Sequence, residues 1–158
     1  MGNQKLIEGL RVTSLKQVKD ERGAVFHVLK NSDNHFMGFG EAYLSKIYHN
    51  VIKGWKCHKE MFQNFSVPYG EVKLVVFDGR EESSSYQLVN KFILSPDKNY
   101  KLISIPPNLW YGFQSLTGPF SLLLNISDME HDPEESKSLP LDYFQVHYDW
   151  ESAVRIQK

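Results

Sequence analysis

The feature that most constrains this chain is how its apolar residues are punctuated. Short apolar or alternating runs cover residues 10–15, 24–29, 41–52, 62–67, 72–77, 86–94, 102–105, 110–113 and 120–126. Turn signals separate them: Arg22-Gly23, Lys53-Gly54, Tyr69-Gly70, Asp78-Gly79, Ser95-Pro96-Asp97, Pro106-Pro107-Asn108 and Thr117-Gly118-Pro119. Runs this short, spaced about ten residues apart and lacking a sustained 3.6-residue period, specify strands in an all-β sandwich or barrel. Only 133–137 and 142–146 have the local propensity for a helical turn, and 128–137 otherwise reads as an acidic, solvated loop. No repeat, low-complexity tract or linker divides residues 1–158, which read as one domain. A domain of this length buries about two-thirds of its unfolded surface.

Composition then narrows the partners. Lysine plus arginine (18) nearly cancels aspartate plus glutamate (19), so no overall field draws the chain to nucleic acid or to an acidic membrane. An anionic ligand must be met by a local cluster. Cys57 is the sole cysteine, which excludes an internal disulfide and a thiolate zinc cluster and points to a reducing compartment. The first residues lack an apolar signal region and no apolar run approaches a membrane span, so the expected location is the cytoplasm. The aromatic fraction of 13% suits a barrel lining.

The segment richest in chemistry is Lys53-Gly54-Trp55-Lys56-Cys57-His58-Lys59-Glu60. On a strand, the period of two places Lys56 and His58 on one face and Trp55 and Cys57 on the other. Taken alone, such a Lys-x-His pair fits a surface strand whose lysines are solvated and whose His58 satisfies a local hydrogen bond. A β-barrel metal site built on this strand would need three or four ligands, such as a His-x-His pair, a nearby glutamate and a histidine on a later strand. Here only His58 and Glu60 are available, too few ligands, so no metal and no cofactor is expected. Cys57, on the opposite face, reads as an inert packed thiol. Trp55, Trp110 and Trp150 read as packing residues, and His35, His49, His131 and His147 as surface or structural ones.

Four elements recur in a familiar order: Asp20-Glu21-Arg22-Gly23, Val51-Ile52-Lys53-Gly54-Trp55-Lys56, Asp78-Gly79-Arg80, and Ile105-Pro106-Pro107-Asn108-Leu109-Trp110-Tyr111-Gly112-Phe113. In their order and spacing the chain resembles the dTDP-4-dehydrorhamnose 3,5-epimerase family over nearly its whole length. The resemblance implies a cupin-type jelly-roll barrel of two antiparallel sheets, a homodimer, and a nucleotide-diphosphate sugar as ligand. It implies isomerisation or epimerisation of a 4-keto-6-deoxy sugar in surface polysaccharide synthesis. His58, Lys56 and Asp142 are the implied catalytic set, with Asp142 where an orienting aspartate is expected. Arg22 and Lys53 stand at phosphate-binding positions, and Gln63, Tyr111 and Tyr43 would complete the substrate site.

The departures carry expectations of their own. Lys56 stands where that family has its catalytic histidine, while Lys53-Gly54-Trp55-Lys56-Cys57-His58-Lys59 is similar to the Arg-Gly-x-His-x-His-Lys of the related 3,4-ketoisomerases, which keeps His58 as the base. An imidazole beside an ammonium is a sensible base: the cation lowers the histidine pKa and can also hold an enolate. No tyrosine occurs in 121–126, where the proton-returning one should fall, and Leu122, Leu124 and Ile126 are expected to form an apolar opposing wall. Such a site would work on one face of the sugar only. The same departures fit a rival reading, a non-catalytic cupin that binds a nucleotide sugar as a binding or assembly subunit.

Overall fold

The computed structural model, which describes residues 5–143, 145–146 and 148–150, turns the punctuated runs into antiparallel strands. In chain order these are β1 (Arg11–Ser14), β2 (Gln17–Asp20), β3 (Gly23–Phe26), β4 (Glu41–Tyr48), β5 (Ile52–His58), β6 (Gln63–Tyr69), β7 (Val72–Phe77), β8 (Val89–Leu94), β9 (Lys101–Ile105), β10 (Trp110–Ser115), β11 (Phe120–Ser127) and β12 (Ser136–Ser138). One sheet has the order β1-β9-β6-β11-β4 and the other β12-β5-β10-β7-β8, while β2 and β3 form a separate hairpin. This is the cupin-type jelly roll that the sequence implies. Its only helical element among the described residues is a 3-10 turn, Pro133–Glu135. Within 142–146, Tyr143 N–H donates to Pro140 O and Val146 N–H to Tyr143 O. Phe144 and His147 lie outside the described residues. Among the described residues no helix is long and apolar enough to cross a membrane.

The core explains the patterns of the strands. Inward residues of both sheets, including Ile47, Phe65, Ile103 and Leu123 from one and Leu74, Val76, Tyr111 and Phe113 from the other, form the main cluster. A second cluster covers the outer face of the β5-β10-β7 sheet: Trp55, Val75 and Phe77 pack against Val146 and Trp150 from the C-terminal segment. Because both faces of β7 are covered, all six of its residues are buried and it shows no polar alternation. Lys73, also buried, donates to Trp150 O at 3.2 Å and lies 5.1 Å from the Trp150 ring centroid, tying the segment down. Trp150 can settle there because β10 carries Gly112, where a Cβ would come within 2.9 Å of the indole.

Asp78-Gly79-Arg80, part of the pattern that carries the resemblance, has a structural role here. The buried Asp78 carboxylate accepts from Arg80 Nε at 2.8 Å, Ser83 Oγ at 2.7 Å and Ser85 Oγ at 2.6 Å. Burial alone would raise its pKa, but these hydrogen bonds outweigh burial and hold it well below the usual carboxylate range. Arg80 also donates to Glu8 O, so the knot fixes the start of the chain to the loop after β7.

Candidate active site

Strand β5 carries the chemistry because it is not regular. It pairs with β10 through Tyr111↔Lys56 and Phe113↔Lys53, so Gly54 and Trp55 together face the single residue Gly112. This is a β-bulge, and it needs two glycines: Gly54 has φ +152°, and a Cβ on it would lie 2.7 Å from Gly112 Cα. The extra residue re-aims the strand so that Lys53 and Lys56, three apart, both line one cavity of about 550 Å³ between the sheets. Strict alternation would have sent Lys53 to the outer face with Trp55. Tyr111 and Phe113 of β10 share this wall, and Glu41, Tyr43 and Ser45 of β4 with Phe65 and Leu123 form the other.

Behind the wall lies a buried polar chain. His58 is only 4% exposed. Its Nδ1 is hydrogen-bonded to the Glu135 carboxylate, and its Nε2 lies 3.1 Å from Tyr111 Oη and 3.2 Å from Gln63 Nε2. Glu135 arrives by local design. The Asp132 side chain caps the 3-10 turn by accepting from Glu134 N–H, Pro133 opens the turn, and Ser136 then pairs with His58 on β12. The Glu135 carboxylate also accepts the Glu60 and Met61 amides at 2.7 and 2.8 Å.

The charge states follow from these partners. Burial would raise the Glu135 pKa, but the amides of Glu60 and Met61 and the His58 ring outweigh it and bring it below its ordinary value. Burial lowers the His58 pKa against the opposing pull of Glu135, and Lys56 and His131 add to the lowering. Burial pushes the Tyr111 phenol up. An ionised Glu135 accepts from Nδ1–H, so His58 is the neutral tautomer whose bare Nε2 accepts from Tyr111 O–H and from the Gln63 amide.

The structure brings together Lys53, Lys56, Tyr43 and Tyr111 on the cavity and places His58 and Gln63 one layer behind Tyr111. It corrects four expectations. Asp142 does not orient His58: it sits on an exposed turn next to Leu141, whose carbonyl accepts from Trp55 Nε1 on the outer face, and Glu135 holds Nδ1 instead. The acidic stretch 128–137 is therefore not merely a solvated loop, and His131 within it lines the cavity. Arg22 stands at the β2–β3 turn with its side chain 83% exposed, paired with Asp20 at 2.7 Å, and lines no part of this cavity within its own chain. Leu122, Leu124 and Ile126 do not form the opposing wall. On β11 the inward, fully buried positions are Ser121, Leu123, Asn125 and Ser127. That wall carries a hydroxyl after all, Tyr43 Oη, which accepts from Asn125 Nδ2 at 3.0 Å. Cys57 is buried, and burial pushes its thiol up to about 11. Among the described residues no group of three or more His, Cys, Asp and Glu side chains is arranged to hold a metal ion.

Comparison with known proteins agrees with this architecture. The dTDP sugar isomerase of Desulfovibrio desulfuricans G20 superposes with a TM-score of 0.88 at 35% identity, covering 91% of this chain and 92% of that one. The spore coat polysaccharide biosynthesis protein SpsL of Bacillus subtilis is 26% identical over 152 residues, 95% of this chain and 100% of its own length. The probable low-salt glycan biosynthesis epimerase Agl13 of Haloferax volcanii is 29% identical over 154 residues, 94% and 97% of the two chains. The family model of dTDP-4-dehydrorhamnose 3,5-epimerase matches residues 4–158, and the chain belongs to that family.

Proposed function

We propose that this chain is an epimerase or isomerase of a nucleotide-linked 4-keto-6-deoxy sugar, acting in the cytoplasm in the synthesis of a surface glycan. The observation that carries the reading is the cavity itself, which sets Lys56 and Tyr111 on one wall and Tyr43 on the other, with a buried His58–Glu135 pair behind the first. Proton removal beside a ketone needs a base, a cation for the enolate oxygen and, where a centre is inverted, an acid on the far face. His58 with Glu135 supplies basicity, the Lys56 ammonium meets the enolate, and Tyr43 offers the far-face hydroxyl. This last group removes the restriction to one face that the sequence suggests. The glycan-synthesis names of SpsL and Agl13 support the pathway class.

Lys53 at the cavity edge binds the diphosphate, and Gln63 acts on the substrate only through Tyr111. The exposed hairpin residues Val18, Val25 and Phe26, with Phe39 and Tyr48, fit burial in a homodimer, which would carry the distant Arg22 toward a second protomer's phosphates. The deciding experiment is proton NMR of a dTDP-linked 4-keto-6-deoxy hexose with the protein in deuterated water. Loss of the C3 or C5 proton signal is expected. Tight binding of that sugar with no exchange would overturn the enzyme and leave the binding subunit.

A further inference from the structure

We infer that Tyr111, not His58, exchanges the proton with the substrate, and that His58 and Glu135 act behind it as a relay. This rests on the enzymatic reading above and specifies which atom does the work. Three observations carry it. First, Tyr111 lines the cavity and the His58 ring does not. Second, both nitrogens of His58 are engaged, Nδ1 by Glu135 and Nε2 by Tyr111 and Gln63, so no lone pair is left to face a sugar. Third, the phenol is held in place: its ring meets Phe65 edge-on at 5.1 Å between centroids and lies 6.4 Å from Phe113 in a near-parallel arrangement.

Tyr111, His58 and Glu135 thus form a hydroxyl–imidazole–carboxylate series like that of a hydrolase triad, with a phenol in place of the serine. The step balances without any co-reactant. Tyr111 Oη accepts the proton from the carbon beside the ketone while passing its own proton to His58 Nε2. The C–H electron pair becomes the enolate, whose oxygen faces the Lys56 ammonium. His58, now an imidazolium, is stabilised by the Glu135 carboxylate. The reverse sequence returns the proton from the same face, and Tyr43 across the cavity is placed to deliver one to the other. Tyr111 is the catalytic residue in this scheme; His58 and Glu135 are positioning residues that set its proton.

Two measurements on the full chain test the relay. The first needs no substrate: 15N–1H spectra of the labelled protein should show His58 as the Nδ1–H tautomer, with Nε2 shifting in Tyr111→Phe. An Nε2–H tautomer would overturn the relay whatever the activity. The second follows deuterium exchange of a dTDP-linked 4-keto-6-deoxy hexose. Tyr111→Phe and His58→Asn should each lower kcat by roughly 10²–10⁴-fold, and the double variant should be no slower than the worse single one, as for groups acting as a unit. Binding of dTDP should change less than threefold in Tyr111→Phe. Exchange that survives in Tyr111→Phe but is lost in His58→Asn would show that His58 acts directly and overturn the inference. A rise in KM with unchanged kcat in Tyr111→Phe would also overturn it. Absence of exchange in the wild-type protein would instead overturn the enzymatic reading, and the relay's reaction with it.

Discussion

Replacing Glu135 with alanine should cost far more stability than its place in an acidic surface stretch suggests. Its two carboxylate oxygens satisfy three donors: the amides of Glu60 and Met61 and His58 Nδ1–H. Met61 and His58 are both buried, so water cannot replace the lost acceptor for them, whereas the partly exposed Glu60 amide can be rehydrated. Two buried donors without partners, at about 1–3 kcal/mol each, give a loss of about 2–6 kcal/mol. For a domain of this size that lowers Tm by roughly 5–20 °C. Glu135→Gln keeps one oxygen for the two amides but turns an NH₂ toward Nδ1–H, forcing the other imidazole tautomer. It should lose only about 1 kcal/mol while losing activity as fully as alanine does. Urea denaturation of the two variants beside the wild type, with exchange rates, separates these effects. A loss under about 1 kcal/mol for alanine, or equal losses for both variants, would refute the donor count. The pH dependence has a definite sign. The folded pKa values of His58 and Glu135 are both lowered, so each contributes stability above its unfolded value and loses it as pH falls through its folded value. Stability should therefore start to fall below about pH 6.5 through His58, and fall again below about pH 4.3 through Glu135.

Lys53→Ala should weaken dTDP binding on the order of ten- to a hundredfold, as expected for one charged hydrogen bond to phosphate, and leave Tm without ligand unchanged; unaltered binding in titration calorimetry would remove Lys53 from the site. Tyr43→Phe should retain deuterium exchange on the Tyr111 face but abolish inversion of the sugar centre, read by NMR coupling constants, and an inverted product would remove Tyr43 as the far-face acid. Cys57, buried and with its thiol at about 11, should fail to react with a disulfide reagent at pH 8 until the protein is unfolded; rapid modification of the native protein would contradict that packing. Asp78→Ala should destabilise by about 3 kcal/mol, because it leaves Arg80 without its carboxylate, and should not change dTDP affinity.

The parts of this molecule that are legible in its sequence are the apolar strands bounded by marked turns. Strands such as 72–77 were readable as apolar runs between glycine turns even though their faces were not. Strands β2 and β12 leave no apolar mark in the sequence because none of their residues is buried, and only their hydrogen-bonded partners define them. The opposing wall departs from the hydrophobic pattern for a physical reason. In Ser121-Leu122-Leu123-Leu124-Asn125-Ile126-Ser127 a hydrophobic-inside rule selects Leu122, Leu124 and Ile126, yet the interior takes the polar set. Those groups are paired within the barrel: Ser121 Oγ with Ser115 Oγ at 2.8 Å, Asn125 Nδ2 with Tyr43 Oη, and Ser127 Oγ with Met129 O. Polar residues can be buried wherever their partners are also buried, and partners drawn from other strands are invisible to a periodicity. Glu135 is the same case at the site itself. Local propensity marks a helical turn at 133–137, and the structure has one at Pro133–Glu135, but nothing local shows that it ends beneath His58. Lys56 and His58 are expected on one face of β5; in the structure Lys56 lines the cavity while His58 is buried behind Tyr111, and the bulge at Gly54 is what brings Lys53 beside Lys56. A site built from a bulge, a capped turn and a tyrosine on the neighbouring strand is assembled by tertiary pairing, so most of its members can be named from the sequence but not their spatial order.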